Sequence, residues 1–162
     1  MVIQLTGDKG FEIRTKTETI LIGPSVKVGA FPLPGPGEYE VADISARGYP
    51  GAYLFTAEDM TILAIDNPES VTEETVKQID EDIDVLLIAV DGDPGRTKRA
   101  LALVSEIDPK ITIPTIASED HPFCKEVGGC TGPVEEFKIA KKDLNVEERK
   151  AVLLHVRPRS RN

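Results

Sequence analysis

Residues 71–114 read VTEETVKQIDEDIDVLLIAVDGDPGRTKRALALVSEIDPKITIP, and the order of patterns in this stretch decides the fold class. Thr72-Glu73-Glu74 opens a helix. A threonine hydroxyl can accept from the unpaired first N–H groups, and acidic side chains favour the positive helix end. Val76 and Ile79 give this helix an apolar side. Residues 85–90 are continuously apolar, the mark of a strand covered on both faces. Asp93-Pro94 starts a second helix, because proline is tolerated in the first turn. Ala100, Leu101, Leu103, Val104 and Ile107 form its buried stripe. Ile111, Ile113 and Ile116 then suit another strand. This alternation builds a sheet with helices packed on it.

Toward the N-terminus the period changes to that of strands. Residues 2–5, the alternation around Phe11 and Ile13, and residues 19–22 each read as a strand, with turns at 7–10 and at Gly23-Pro24. Residues 26–31 read as one further strand. The run Pro32-Leu33-Pro34-Gly35-Pro36-Gly37 then breaks it, since proline cannot donate to a ladder. Tyr39, Val41 and Ile44 resume a strand with a bulge expected at Ala42-Asp43. Residues 52–56 and 61–65 form a hairpin around 57–60. Toward the C-terminus, residues 122–127 read as a short helix ended by Gly128-Gly129. Residues 137–139 and 151–156 read as closing strands. Hairpins followed by β-α-β units point to an α/β sandwich.

Composition bounds the rest. A chain of 162 residues suits one domain with a sizeable core. The formal net charge of -9 argues against broad binding to nucleic acid, whose phosphates reward a basic face. The two cysteines, Cys124 and Cys130, do not make a disulfide framework. No run approaches the roughly 20 apolar residues that cross a bilayer, and the opening residues lack a signal-peptide pattern, so a cytoplasmic protein is expected.

Four strings, in order, resemble one family. Gly7-Asp8-Lys9-Gly10-Phe11-Glu12-Ile13, followed by Thr19-Ile20-Leu21-Ile22-Gly23-Pro24, is similar to the opening of metal-dependent hydrolases of the metallo-β-lactamase superfamily, in the branch that includes ascorbate-6-phosphate lactonase. Pro36-Gly37-Glu38-Tyr39-Glu40-Val41 resembles a strand of a small-protein subgroup of that branch. Val71-Thr72-Glu73-Glu74 with residues 82–88 resembles the family's helix and following core strand. Ile107-Asp108-Pro109-Lys110-Ile111-Thr112-Ile113-Pro114 resembles the strand that presents a histidine. The resemblance implies an αββα sandwich of two mixed sheets with helices outside. Here it is trimmed, a single domain over residues 1–162 shortened at 24–36.

The departures bear on function. The resemblance places a His-x-His-x-Asp-His metal loop between Pro24 and Pro36, where residues 25–34 hold no histidine. The family's Gly-His turn reads Gly7-Asp8, and the histidine expected near Gly48 is absent. The histidine after the fourth string is replaced by Pro114-Thr115-Ile116-Ala117. Counting back from Val71 puts Asp66 at the family's bridging aspartate, in the setting Ile65-Asp66-Asn67-Pro68. A catalytic zinc needs about three protein ligands and an open position for water, so one aspartate does not supply a site.

Other candidates are weaker. His121, Cys124 and Cys130 put three zinc-ligand types in ten residues, with Glu119 and Asp120 beside them, but the spacing is not that of a zinc knuckle. Small buried cysteines and an ordinary helix are the main reading there. His155, in an apolar strand, reads as structural. Residues 90–96, with Lys98 and Arg99 following, read as a tight strand-to-helix connection in which Asp91 and Asp93 repel an anion. Eight acidic side chains between Asp66 and Asp84, against Lys77 alone, read as a solvated face. Residues 157–161 read as a frayed basic end.

The expected function is therefore a non-catalytic binding or assembly module, with no catalytic, cofactor or metal residues assigned. A homo-oligomer or protein partner would cover Val28, Phe31 and Leu33, exposed by the shortened loop. The alternative is a hydrolase with a remnant or relocated site built from Asp8, Asp66 and residues of 121–130. A third reading is a small-molecule sensor that uses the old cleft without chemistry.

Overall fold

The computed structural model describes residues 1–7, 10–144 and 147–156. Asp8 and the basic stretch 157–161 lie outside the described residues. In chain order the strands are β1 (Val2–Leu5), β2 (Phe11–Arg14), β3 (Thr19–Ile22), β4 (Val26–Val28), β5 (Phe31–Leu33), β6 (Gly37–Val41), β7 (Ile44–Tyr49), β8 (Ala52–Ala57) and β9 (Met60–Ile65). There follow α1 (Glu73–Gln78), β10 (Val85–Ile88), α2 (Pro94–Ile107), β11 (Ile111–Pro114), α3 (Pro122–Glu126), β12 (Thr131–Val134), β13 (Phe137–Lys138) and β14 (Lys150–Leu154).

Two sheets face each other. The smaller has the order β13-β1-β2-β3-β4-β5 and is antiparallel throughout. The larger has the order β12-β14-β11-β10-β9-β8-β7-β6. Its β6–β9 half is an antiparallel meander, and from β9 to β12 the neighbours are parallel.

The period-2 alternation dictates the packing between the sheets. Ile3, Ile13, Ile20 and Val28 point inward from the smaller sheet and meet Phe55, Ile62, Ile113 and Val152 of the larger. A second core fills the other face of the larger sheet, where Leu63, Leu86 and Ile88 pack against Val76 of α1, Ala100 and Leu103 of α2 and Phe123 of α3. Burial on both faces explains the unbroken apolar run of β10. The helices thus lie on the larger sheet. Among the described residues the outer face of the smaller sheet carries no helix, and Glu12, Leu21 and Lys27 stand side by side on it.

Helix starts follow the expected chemistry. The Thr72 side chain accepts from the Thr75 N–H, and the Asp93 side chain accepts from the Arg96 N–H.

Three local expectations are corrected. Residues 26–31 are two strands, because Gly29 takes a positive φ of 60° and turns the chain; Pro32 then sits inside β5, which tolerates it as a sheet edge. Ala42 and Asp43 are a two-residue turn with φ of 50° and 64°, not a bulge. Val28 and Leu33 are only 1% and 4% exposed, so the expected apolar patch shrinks to Phe31 at 52%. The tight β4–β5 turn folds the shortened loop back into the core instead of leaving it open.

Candidate functional site

A cleft of about 500 Å³ opens at the carboxyl ends of β9, β10 and β11, beside the β2 and β3 ends of the smaller sheet. Carboxyl ends of parallel strands are where α/β sheets hold ligands, since the chain leaves them through loops. Its apolar lining includes Phe11, Ile22, Pro24, Leu87 and Val90. Its polar lining includes Asp66, Asn67, Asp91, Arg96 and Thr115.

Close backbone approach shapes the floor. Gly10 presses on the Ile22 carbonyl so tightly that no side chain fits between them. It is held there by a pair of bonds with Thr6: the Gly10 N–H donates to the Thr6 hydroxyl at 3.0 Å, and the Thr6 N–H donates to the Gly10 carbonyl at 2.9 Å. Gly51, in the turn between β7 and β8, has a φ of 78°. Its carbonyl accepts from the N–H groups of Asp66 and Asn67 at 3.1 and 3.3 Å. A Cβ on Gly51 would come within 2.6 Å of the Asn67 carbonyl oxygen. That turn therefore fixes the backbone that presents Asp66.

Asp66 forms no ion pair among the described residues. The residue stands at the cleft mouth with much of its surface in solvent, while the adjacent walls crowd its carboxyl. That partial burial raises its pKa above the usual value, and the N–H groups of Asp66 and Asn67 pull the other way.

The opposite rim is satisfied internally. The Thr115 hydroxyl accepts from the Val90 N–H at 2.9 Å and donates to the Val90 carbonyl at 2.8 Å. Asp91 pairs with Arg96 at 2.9 Å and accepts from the Asp93 N–H at 2.8 Å. Asp93 in turn accepts from the Arg96 N–H at 2.9 Å, which occupies the start of α2.

His121, Cys124 and Cys130 are neighbours, but not as a ligand set. The His121 Nδ1 accepts from the Phe123 N–H at 3.1 Å and caps α3. That leaves the proton on Nε2, which donates to the Asp91 carbonyl at 2.8 Å. Cys124 and Cys130 form a disulfide with Cα atoms 5.3 Å apart, which corrects the reading of both as free buried thiols. Asp120 and Glu119 are exposed on the preceding loop, and His155 lies beyond the end of β14, outside the cleft lining.

The fold family implied by the sequence strings uses zinc, and the residues of this cleft do not fit it. Among the described residues two carboxylates face the cleft, one of them already committed to Arg96, and the Thr115 hydroxyl both donates to and accepts from Val90. Among the described residues, no three His, Cys, Asp or Glu side chains are grouped so that they could hold a metal ion. Zinc requires about three such ligands.

Sequence reasoning missed two features. Asp84, counted with the solvated acidic run, is 2% exposed and accepts from the Thr61 N–H and the Lys110 ammonium, both at 2.9 Å, and from the Lys141 ammonium at 3.3 Å. Its position, just before an apolar strand, was the available signal. The Asp91–Arg96 pair spanning the strand-to-helix connection was the second.

Among the described residues no helix is long and apolar enough to cross a membrane. No protein-family model matches the sequence, and no curated protein matches it. Among solved structures, the chain is similar to a Thermotoga maritima protein assigned to the metallo-β-lactamase superfamily as a Zn-dependent hydrolase. The TM-score is 0.72 at 20% identity, covering 96% of this chain and 100% of that one. This chain has the metallo-β-lactamase α/β sandwich fold.

Proposed function

We propose that this protein is a non-catalytic binding module whose cleft takes up a small organic molecule. The observation that carries the reading is a cleft of about 500 Å³ at the carboxyl ends of β9–β11, walled by apolar side chains and, among the described residues, without a ligand set for zinc. Pockets of a few hundred cubic ångströms with apolar walls and a few convergent polar groups are the usual form of small-molecule sites. The assembly half of the expectation has lost its main support, since Val28 and Leu33 lie in the core.

A second reading, a metal-dependent hydrolase with a remnant site, is favoured by the assignment of the Thermotoga maritima protein and by Asp66 and Asp91 lining one cleft. Elemental mass spectrometry on untagged protein, purified without chelator, separates the two. The expected result is near-zero zinc, iron and manganese, with no gain in thermal stability when they are added. One tightly held equivalent per chain would overturn the proposal and return the hydrolase reading to first place.

A further inference from the structure

The chemical balance of the cleft narrows the class of ligand, an inference that rests on the cleft being a small-molecule site. An anion finds little to hold it. The Arg96 guanidinium is paired with Asp91, and the N–H groups at the start of α2 face Asp93, which already accepts from Arg96. Asp91 also accepts from the Asp93 N–H. The Thr115 hydroxyl spends its proton on Val90 and keeps one acceptor lone pair, so it suits a ligand that donates rather than one that accepts. Beside the neutral Asn67 amide, the charge left in the lining is Asp66, a carboxylate against apolar walls with no cation paired to it among the described residues. A hard metal cation would need several more oxygen ligands than the cleft supplies. An organic ammonium needs few, because it brings its own N–H donors and an apolar body that the walls can cover.

We infer that the cleft binds a compact apolar amine in its protonated form, its ammonium on Asp66 and its hydrocarbon body against Pro24 and the accessible edges of Phe11 and Ile22. Charge-assisted hydrogen bonds in a partly desolvated site exceed neutral ones in strength. The ammonium therefore discriminates more than the body does.

The test is a set of titrations on the full ¹⁵N-labelled chain, followed by two-dimensional amide spectra, with cyclohexylamine, cyclohexanol and cyclohexanecarboxylate. These probes share a body and differ in the head group. Cyclohexylamine should shift the amides of residues 64–67 and 87–91 and bind at least about tenfold more tightly than the other two. Asp66→Asn should remove that margin. Should Asp66→Asn disturb the fold, ionic strength gives the same answer in the native chain: raised salt should weaken the amine and leave the alcohol unchanged. Equal binding of all three probes, or amine binding indifferent to both Asp66→Asn and salt, would overturn the amine assignment and leave the cleft reading standing. Failure of every probe to move the cleft amides would overturn both.

Discussion

Asp84 sits where three elements meet. It accepts from the Thr61 N–H of β9, from Lys110 just before β11 and from Lys141 near β13. Burial pushes its carboxyl up, but the hydrogen bonds from Lys110, Thr61 and Lys141 together outweigh burial and hold its pKa below the usual value. A carboxyl depressed by folding contributes stability that is fully present above its unfolded pKa of about 4. That stability is lost as pH falls through the lower folded value. Asp84→Asn should cost about 3 kcal/mol at neutral pH, since it leaves Lys110 in a mostly buried place without its counter-charge. Urea midpoints measured across the acid range should then fall less steeply for the variant than for the native chain. The role of Asp84 was not legible in the sequence, because its lysine partners are 26 and 57 residues away. Asp66 was singled out only through the family resemblance, by counting back from Val71, and it lines the cleft. The pairing of Cys124 with Cys130 was not legible, because spacing alone does not say which way two sulfurs point.

At the scale of elements, the two-residue turns stand out. Ala42 and Asp43 join β6 to β7 with both φ angles positive, and Glu58 and Asp59 do the same for β8 and β9. Such turns match the twist of the strands they join, but residues with a Cβ adopt them at some cost, small for asparagine and absent for glycine, which has no Cβ. Ala42→Asn with Asp43→Gly should therefore stabilise the protein by about 1 kcal/mol, read as a raised urea midpoint with an unchanged slope. The Thr17 hydroxyl donates to the backbone carbonyl of Ala42 at 2.8 Å, a bond that survives the change. Strands were legible wherever apolar and polar residues alternate, as in β2 and β3. They were hidden where local chemistry argues against a strand. β5 contains Pro32, and β12 contains Gly132-Pro133; both persist as sheet edges, where fewer backbone donors are needed.

For the whole molecule, the sandwich was legible from the change of period along the chain. The restriction of the helices to one sheet was not, because an amphipathic stripe does not name the surface it covers. The disulfide ties the middle of α3 to the entry of β12, and His121, the N-cap of α3, holds the Asp91 rim. Removing it with Cys124→Ser and Cys130→Ser, or with dithiothreitol, should cost about 2 kcal/mol for so short a loop. Urea unfolding with and without the reductant measures that loss. The division of the larger sheet also carries a temporal meaning. β6 to β9 pair through turns between consecutive strands, whereas β10, β11 and β14 reach their neighbours by long crossovers. Local pairs close fast and distant ones slowly. The meander is therefore expected to form first, with β9 as the template on which the parallel strands dock. The cleft lies across that seam, lined by the ends of β9 and β10. It should be completed late in folding and lost early in unfolding, so that a partly opened chain would keep its meander after the cleft has gone.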